Sequence, residues 1–224
     1  MAQLISPTTG ATQEVSQTFK AGLVTVRPEE LLGSYLFSAT SGLITLINAK
    51  TATAGQVFQL RNGHTSTLML IKYLRLRWQT VTAFTTAQRI GLQAFMARSF
   101  TVNGSGGTAI SSVGAGQFKK RLTMPTSACL SSGDARIATT DDLTSGTHTL
   151  DAQPFFELNG WSQTAAAPSV MPVIETELNM QDGNTYPLIL AQNEGFIIAS
   201  SLLMGAAGTA VVSVDIQWDE VSSY

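Results

Sequence analysis

Residues 208–221 read Gly-Thr-Ala-Val-Val-Ser-Val-Asp-Ile-Gln-Trp-Asp-Glu-Val, with large apolar side chains on every second position. The apolar set is Val212, Val214, Ile216 and Trp218, and the polar set between them is Ser213, Asp215, Gln217 and Asp219. Side chains of a strand point alternately to its two faces, whereas a helix would scatter these four apolar residues around its axis. The stretch therefore predicts a β-strand with one apolar and one polar face.

Strand patterns continue upstream of this stretch. Residues 187–204 contain two short apolar runs, and we expect them to form an antiparallel meander with the last strand. The longest pattern covers residues 66–83, where Leu68 and Leu70 share their parity with later apolar residues and Lys72 is the exception. Residues 88–98 read as the partner strand that follows it.

The whole chain predicts one all-β domain behind an N-terminal arm. About ten short strands separated by turn residues, without a convincing helix, indicate an antiparallel β-sandwich, and we favour a jelly-roll-like form because it covers open sheet edges. Residues 1–19 show neither a helical nor a strand period and are predicted to be an extended arm. Residues 20–224 form the predicted sandwich domain.

The composition narrows the classes of function. Only 12% of the 224 residues are charged, the net charge is −2, and about a fifth of the chain is Ser or Thr. So few charges predict a surface largely covered by other subunits, and scattered Lys and Arg argue against a nucleic-acid partner. No apolar run approaches the length that spans a bilayer, and no secretory signal is recognised. The single Cys129 fits folding in a reducing cytoplasm.

Few residues suggest chemistry. His148 and Asp151 could belong to a hydrolytic triad, but the chain lacks a Gly-x-Ser-x-Gly nucleophile elbow, so we interpret this histidine as a polar loop residue. Glu175 and Glu177 share one side of a predicted strand and are interpreted as a polar outer face. His64 is too distant in sequence from the other possible ligands to predict a zinc site. The chain is therefore predicted to be no enzyme and to need no metal or cofactor.

Candidate subunit contacts come from the arm, one basic cluster and one tryptophan. Residues 119–124 are interpreted as a strand that begins with the basic cluster, which could contact an acidic patch on a neighbour. Trp78 and Trp218 share parity with core residues and are predicted to be buried, whereas Trp161 follows Asn-Gly and is predicted to be exposed. The candidate contacts are Leu4, Ile5, Phe19, Lys119, Lys120, Arg121 and Trp161.

Four phrases of the sequence resemble one group of proteins. They are A-Q-L-I-S-P-T-T-G-A-T-Q-E-V (2–15), R-I-A-T-T-x-x-L-T-S-G-T-H-T-L-D-A-Q (136–153), L-I-L-A-Q-N-E-G-F-I-I (188–198) and the stretch 208–221 quoted above. With them the chain resembles virion structural proteins of tailed bacteriophages. The resemblance implies a capsid decoration (cement) or auxiliary head protein, commonly trimeric, with no catalytic motif.

The resemblance also implies partners and a location. The expected partners are copies of the chain itself and the major capsid protein, and the expected location is the capsid surface after synthesis in the host cytoplasm. An alternative is a receptor-binding or fibre-head module that uses loops at residues 103–116 and 159–169. A glycan-processing enzyme built on Glu175 and Glu177 is the least favoured alternative.

Overall fold

The computed structural model describes residues 3–5, 12–14, 31–45, 55–111, 118–140, 143, 146–162, 173–180, 187–202 and 208–222. Almost all their regular structure is β, as predicted. The strands are β1 (Gln3–Ile5), β2 (Thr12–Glu14), β3 (Leu31–Thr40), β4 (Gln56–Asn62), β5 (Leu68–Thr82), β6 (Arg89–Arg98), β7 (Thr108–Ala109), β8 (Asp134–Ile137), β9 (Thr149–Leu150), β10 (Phe156–Trp161), β11 (Ile174–Asn179), β12 (Leu188–Leu190), β13 (Glu194–Ser200) and β14 (Thr209–Val221). One short helix, α1 (Ala128–Ser132), precedes β8.

Two antiparallel sheets enclose the core. The larger has the strand order β10-β6-β13-β4-β8-β7, with β9 beside β6, and the smaller has the order β11-β5-β14-β3, with β12 beside β5. The long strands pair as nested couples: β3 with β14, β4 with β13, β5 with β11 and β6 with β10. Successive couples lie in alternate sheets, which is the topology of a double-sheet jelly roll. The predicted jelly-roll-like sandwich is confirmed.

The core is built around β14, which lies between β5 and β3. All four apolar side chains of its alternating pattern are 0% exposed. Trp218 stacks on Tyr35 with ring centroids 5.3 Å apart and meets the edge of Phe37 at 5.7 Å. Since full burial of one large apolar side chain contributes about 1.5–3 kcal/mol, this strand supplies a large share of the stability. The predicted burial of Trp78 and Trp218 is confirmed.

A β-bulge explains the one exception in the pattern of β5. The register of β5 against β14 skips Lys72, which is therefore the extra residue of the bulge. The bulge shifts the alternation by one residue, so Met69 and Ile71 contact the main core before it, while even-numbered side chains do so after it. Leu68 and Leu70 therefore share the parity of the later core residues but not their face, although Leu70 is itself buried.

Two predicted pairings are wrong because successive strands cross between the sheets. The last strands form no meander: β12 pairs with β5, β13 with β4 and β6, and β14 with β3 and β5. Strand β6, predicted to pair with β5, lies in the larger sheet between β10 and β13. Turn residues mark where a strand ends, but they do not determine whether the next strand stays in the same sheet.

The stretch 119–124 is a turn, and the prediction of a strand there is wrong. Lys119 forms an isolated bridge to Tyr35, and the N–H of Met124 donates to the carbonyl of Arg121 at 3.0 Å. Helix α1 follows, and the hydroxyl of its N-cap, Ser127, accepts from the N–H of Leu130 at 3.1 Å. Sequence periodicity did not predict this helix, because five residues are too few to show a helical period.

The predicted arm, residues 1–19, folds back on itself at its described positions. Strand β1 pairs with β2, which places Leu4 opposite Gln13 and Ile5 opposite Thr12, in a two-stranded sheet separate from the two large ones. Phe19 and the predicted domain boundary lie outside the described residues. A pair of three-residue strands is by itself only marginally stable in water.

Candidate functional site

Large apolar side chains remain exposed at two edges of the sandwich. Among the described residues, those at least 39% exposed are Leu31, Leu32, Leu36, Leu43, Val81, Val102, Leu122, Trp161 and Val173. Strand β3 and the adjoining residues 118–124 carry four of them, and the opposite edge at β10 and β11 carries Trp161 and Val173. Clusters of exposed apolar side chains mark interaction surfaces, whereas single ones are ordinary.

The first edge is formed where residues 118–124 run beside β3. The N–H of Leu36 donates to the carbonyl of Phe118 at 2.7 Å, and the N–H of Lys120 donates to the carbonyl of Ser34 at 3.1 Å. The N–H of Ser34 also donates to the sulfur of Met124 at 3.4 Å. These contacts place the basic cluster beside the exposed leucines of β3.

We call this surface the basic edge. Lys120 and Arg121 are exposed and Lys119 is half-buried, so two of the three predicted basic contacts point at solvent. The members of the basic edge are Leu31, Leu32, Leu36, Leu122, Lys119, Lys120 and Arg121.

A buried carboxylate anchors the segment that forms this edge. Glu220 of β14 is 1% exposed and accepts a short hydrogen bond from the hydroxyl of Ser127. It also accepts from the backbone N–H groups of Ala128 at 2.9 Å and Cys129 at 3.3 Å, and from the indole of Trp218 at 3.2 Å. The carboxylate thus takes up donors that the first turn of α1 leaves without partners inside the helix.

The charge of Glu220 also affects the pKa values of neighbouring side chains. Burial raises the pKa of Tyr35, and the charge of Glu220 raises it further. Burial also raises the pKa of the Cys129 thiol, again with a contribution from Glu220, which keeps this cysteine protonated and unreactive. The hydroxyl of Tyr35 donates to the carbonyl of Pro125 at 3.1 Å, so the connection between the basic cluster and α1 is held at a second point.

The opposite edge is formed by β10 and β11, the outer strands of the two sheets on that side. They approach closely at Gly160, where an added Cβ would lie 2.8 Å from a methyl carbon of Ile174. Trp161 is 64% exposed, as predicted, and Val173 is 50% exposed. Glu175 and Glu177 are exposed on the outer face of β11, and their predicted place on a polar outer face is confirmed. We call Val173, Glu175 and Glu177, on the outer side of the smaller sheet, together with Trp161, on the outer side of the larger sheet, the acidic edge.

Between the two edges, the outer face of the smaller sheet is polar and internally paired. Asp215 lies 2.5 Å from Arg75 and 3.1 Å from Arg77. Burial alone would raise the pKa of Asp215, but hydrogen bonds from Ser38 and Arg75 and the nearby arginine charges hold it below its usual value. The hydroxyl of Tyr73 donates to Glu177 at 2.8 Å. These contacts rigidify the face that separates the edges.

A buried arginine organises the loops at one end of the sandwich. Arg61 of β4 is 8% exposed and donates to Asn103 at 2.7 Å, to Asn193 at 3.0 Å and to the carbonyl of Ser132 at 3.0 Å. Three separate connections are therefore tied to one side chain. Burial raises the pKa of the neighbouring Asp134, an effect that Arg136 and Arg61 oppose.

The residues considered for catalysis are not assembled into a triad. The His148 ring packs on Phe100 with centroids 4.9 Å apart, and burial lowers the pKa of its imidazole. The carboxylate of Asp151 instead accepts two hydrogen bonds from the guanidinium of Arg98, the shorter of them at 3.2 Å. Among the residues that the structure describes, no group of three or more His, Cys, Asp or Glu side chains could hold a metal ion. No helix in the described part of the chain is long and apolar enough to cross a membrane.

The predicted contact residues fall into three places. Lys119, Lys120 and Arg121 are brought together on the basic edge, Trp161 lies on the acidic edge, and Leu4 and Ile5 lie in the N-terminal hairpin. The exposed leucines were missed. Leu36 could have been found, because it shares parity with Ser34 and Ser38 rather than with Tyr35 and Phe37.

The loops proposed for recognition are only partly loops. Thr108 and Ala109, within residues 103–116, form β7 and pair with β8. Residues 159–161 belong to β10, and 163–169 lie outside the described residues. The sequence matches no protein-family model, and it matches no curated protein sequence.

Proposed function

We propose that the chain is a virion structural protein that decorates the head of a tailed bacteriophage and stabilises it by contacts with the major capsid protein and with copies of itself. The observation that carries the proposal is the clustering of exposed apolar side chains at two edges of a sandwich that has few charges. Such edges suit permanent contact between subunits, which replaces water at both surfaces.

Fold and sequence phrases support the same proposal. Double-sheet jelly rolls recur in viral capsid proteins, although they also occur in lectins and cupins, so the fold contributes only an analogy. The phrases at residues 2–15, 136–153, 188–198 and 208–221 resemble phage virion proteins. They supply the phage head as the specific setting.

The N-terminal hairpin supports a role in binding the shell. Ordering each backbone residue costs about 1–2 kcal/mol, which a three-residue strand pair does not recover by itself. Contacts of residues 1–19 with a neighbouring capsid subunit would offset this cost. In the proposal, the arm is the part of the chain that fastens the sandwich to the shell.

Locating the protein on purified particles tests the proposal. Antibody labelling followed by electron microscopy should place it over the whole head surface. Labelling at a distal tip would reject head decoration and favour a receptor-binding module, for which the exposed Trp161 would be a contact. Absence from the particle would reject both roles.

Deleting residues 1–19 tests the arm separately. The truncated chain should keep the buried-tryptophan fluorescence of the folded sandwich while its occupancy on the head is lost. Full-length protein with Thr65→Lys, at an exposed position between β4 and β5, serves as the control and should bind normally. Unchanged occupancy of the truncated chain would reject the role of the arm.

A further inference from the structure

The two edges carry charges that form no ion pair within the chain's described residues. The ion pairs that are formed there use Lys72, Arg75, Arg77, Arg98 and Arg136 as cations. None of these pairs involves the basic cluster of one edge or the two glutamates of the other. Glu177 accepts a hydrogen bond from the hydroxyl of Tyr73, and the two glutamates stand across the strand pair from Arg77 and Arg75. On a chain in which 12% of residues are charged, two such groups of opposite sign are a specific feature.

Each charged group lies next to exposed apolar side chains. On the basic edge, Lys120 and Arg121 adjoin Leu122, which is 82% exposed. On the acidic edge, Glu175 lies two residues beyond Val173 on the strand that packs against β10. Apolar contacts with a charged rim are the usual anatomy of a protein–protein interface.

We propose that a second copy of the chain is the partner, with the acidic edge of one copy docked on the basic edge of the next. The charges are complementary in this arrangement, and Val173 meets the exposed leucines. Pairing two identical edges would instead bring like charges together, which opposes association. The contact is therefore heterologous.

The position of the edges determines what such contacts build. The acidic edge lies at β11 and the basic edge at β3, the two opposite ends of the smaller sheet. Each copy can therefore bind two neighbours at once. Head-to-tail contacts of this kind close into a ring when the rotation between copies allows it, and otherwise extend as a filament.

This inference rests on the proposed role as a self-associating structural protein, but its test needs no virus particle. Purified full-length chain is studied by sedimentation velocity in low salt. Wild type should self-associate, and added salt should weaken the association because charges on the rim are screened. If the chain remains monomeric at about 100 μM, its self-association is weaker than that of ordinary specific interfaces, and the inference is overturned. Capsid binding can still be measured independently.

Charge reversal tests which surfaces meet. Lys120→Glu/Arg121→Glu and Glu175→Lys/Glu177→Lys should each weaken self-association by about 10-fold or more. Reversing all four residues in one chain should restore it, and mixing the two double variants should produce association between them. Thr65→Lys/Gln192→Lys, at two exposed residues outside the strands, is the control and should associate like wild type. Failure of the fourfold variant to recover would overturn the pairing of these edges.

Folding must be separated from association in this experiment. Lysines at 175 and 177 would stand opposite Arg77 and Arg75 on β5, and like charges across a strand pair are destabilising. Glu175→Gln/Glu177→Gln avoids that repulsion and should still weaken association by several-fold. Unchanged association in this folded variant would also contradict the inference.

Discussion

Replacing Glu220 by Gln is the sharpest test of how the basic edge is held. The substitution keeps the shape of the side chain and changes one acceptor oxygen into an amide group that donates. One carboxylate oxygen accepts from Ser127, Cys129 and Trp218, and the other accepts from the N–H of Ala128 at 2.9 Å. If the amide oxygen keeps the first three contacts, the new NH₂ group faces the N–H of Ala128.

The expected loss follows from that geometry. One hydrogen bond to a charged acceptor is lost, which is worth about 1.5–3 kcal/mol, and a donor is left facing a donor in a site that is 1% exposed. Removing one member of a buried charged network costs up to about 3–5 kcal/mol. We expect the free energy of unfolding to fall by about 2–4 kcal/mol, and Tm to fall by roughly 4–16 °C.

Urea unfolding followed by tryptophan fluorescence measures the effect, since Trp218 itself donates to Glu220. The matched control is Glu177→Gln on the exposed face of β11, where the change should stay within about 0.5 kcal/mol. The Glu220 variant should also titrate Tyr35 at lower pH, because the charge that raises the pKa of that phenol is gone. A Glu220 variant as stable as the control would refute the anchoring role.

Three further predictions concern pH and accessibility. The folded protein holds the pKa of Asp215 below its ordinary value, so the stabilisation by this carboxylate is present above that ordinary pKa and is lost as the pH falls through the folded pKa. Asp215→Asn should lower the free energy of unfolding by about 1–3 kcal/mol near neutral pH. Urea unfolding should also show that the stability of this variant decreases less at acidic pH than that of wild type. For Asp134 the sign is opposite, because its pKa is raised in the folded protein, so the stability of the wild type declines as the pH rises from the ordinary pKa through the folded pKa. Over this pH range Asp134→Asn should gain stability relative to wild type. A difference in free energy of unfolding that stays constant with pH would contradict this. Acrylamide should quench the emission of Trp161 but leave Trp78 and Trp218 shielded, so Trp161→Phe should abolish the quenchable component.

Much of the fold could be predicted from local patterns. The alternation in residues 208–221 predicted the buried face of β14, and Trp78 and Trp218 were placed correctly because a strand repeats every two residues. Pairing could not be predicted in the same way. In a jelly roll, the partners of a strand are distant in sequence, so β13 lies between β4 and β6 rather than beside β14.

Buried polar residues are a second reason why the sequence did not predict the fold completely. Strand β4 is buried along its whole length although it contains Gln56, Gln59, Arg61 and Asn62. Gln59 donates to Gln56 within the strand, and its own side-chain oxygen has no hydrogen-bond partner among the described residues. Arg61 and Asn62 have partners in other segments, as when Asn62 donates to the carbonyls of Thr67 and Leu190. Such partners come from remote segments, and a polar residue in a strand pattern gives no sign of them.

The candidate site was predictable where it is polar and was missed where it is apolar. Lys120, Arg121 and Trp161 stand out in the sequence as a dense basic cluster and an aromatic residue after a turn. Leu31, Leu32 and Leu122 look like ordinary core residues, and their exposure follows from the position of β3 at the end of its sheet.

The pairing of the early strand β3 with the last strand, β14, has a consequence for biosynthesis. Strand β14 forms the middle of its sheet by joining β3 to β5, so neither can complete its pairing until residues 209–221 have been translated. A nascent chain that has reached residue 200 exposes two unsatisfied strand borders, a condition that promotes aggregation. Premature termination before Gly208 should therefore yield insoluble polypeptide, and translation pauses late in the message should increase the chain's need for chaperones.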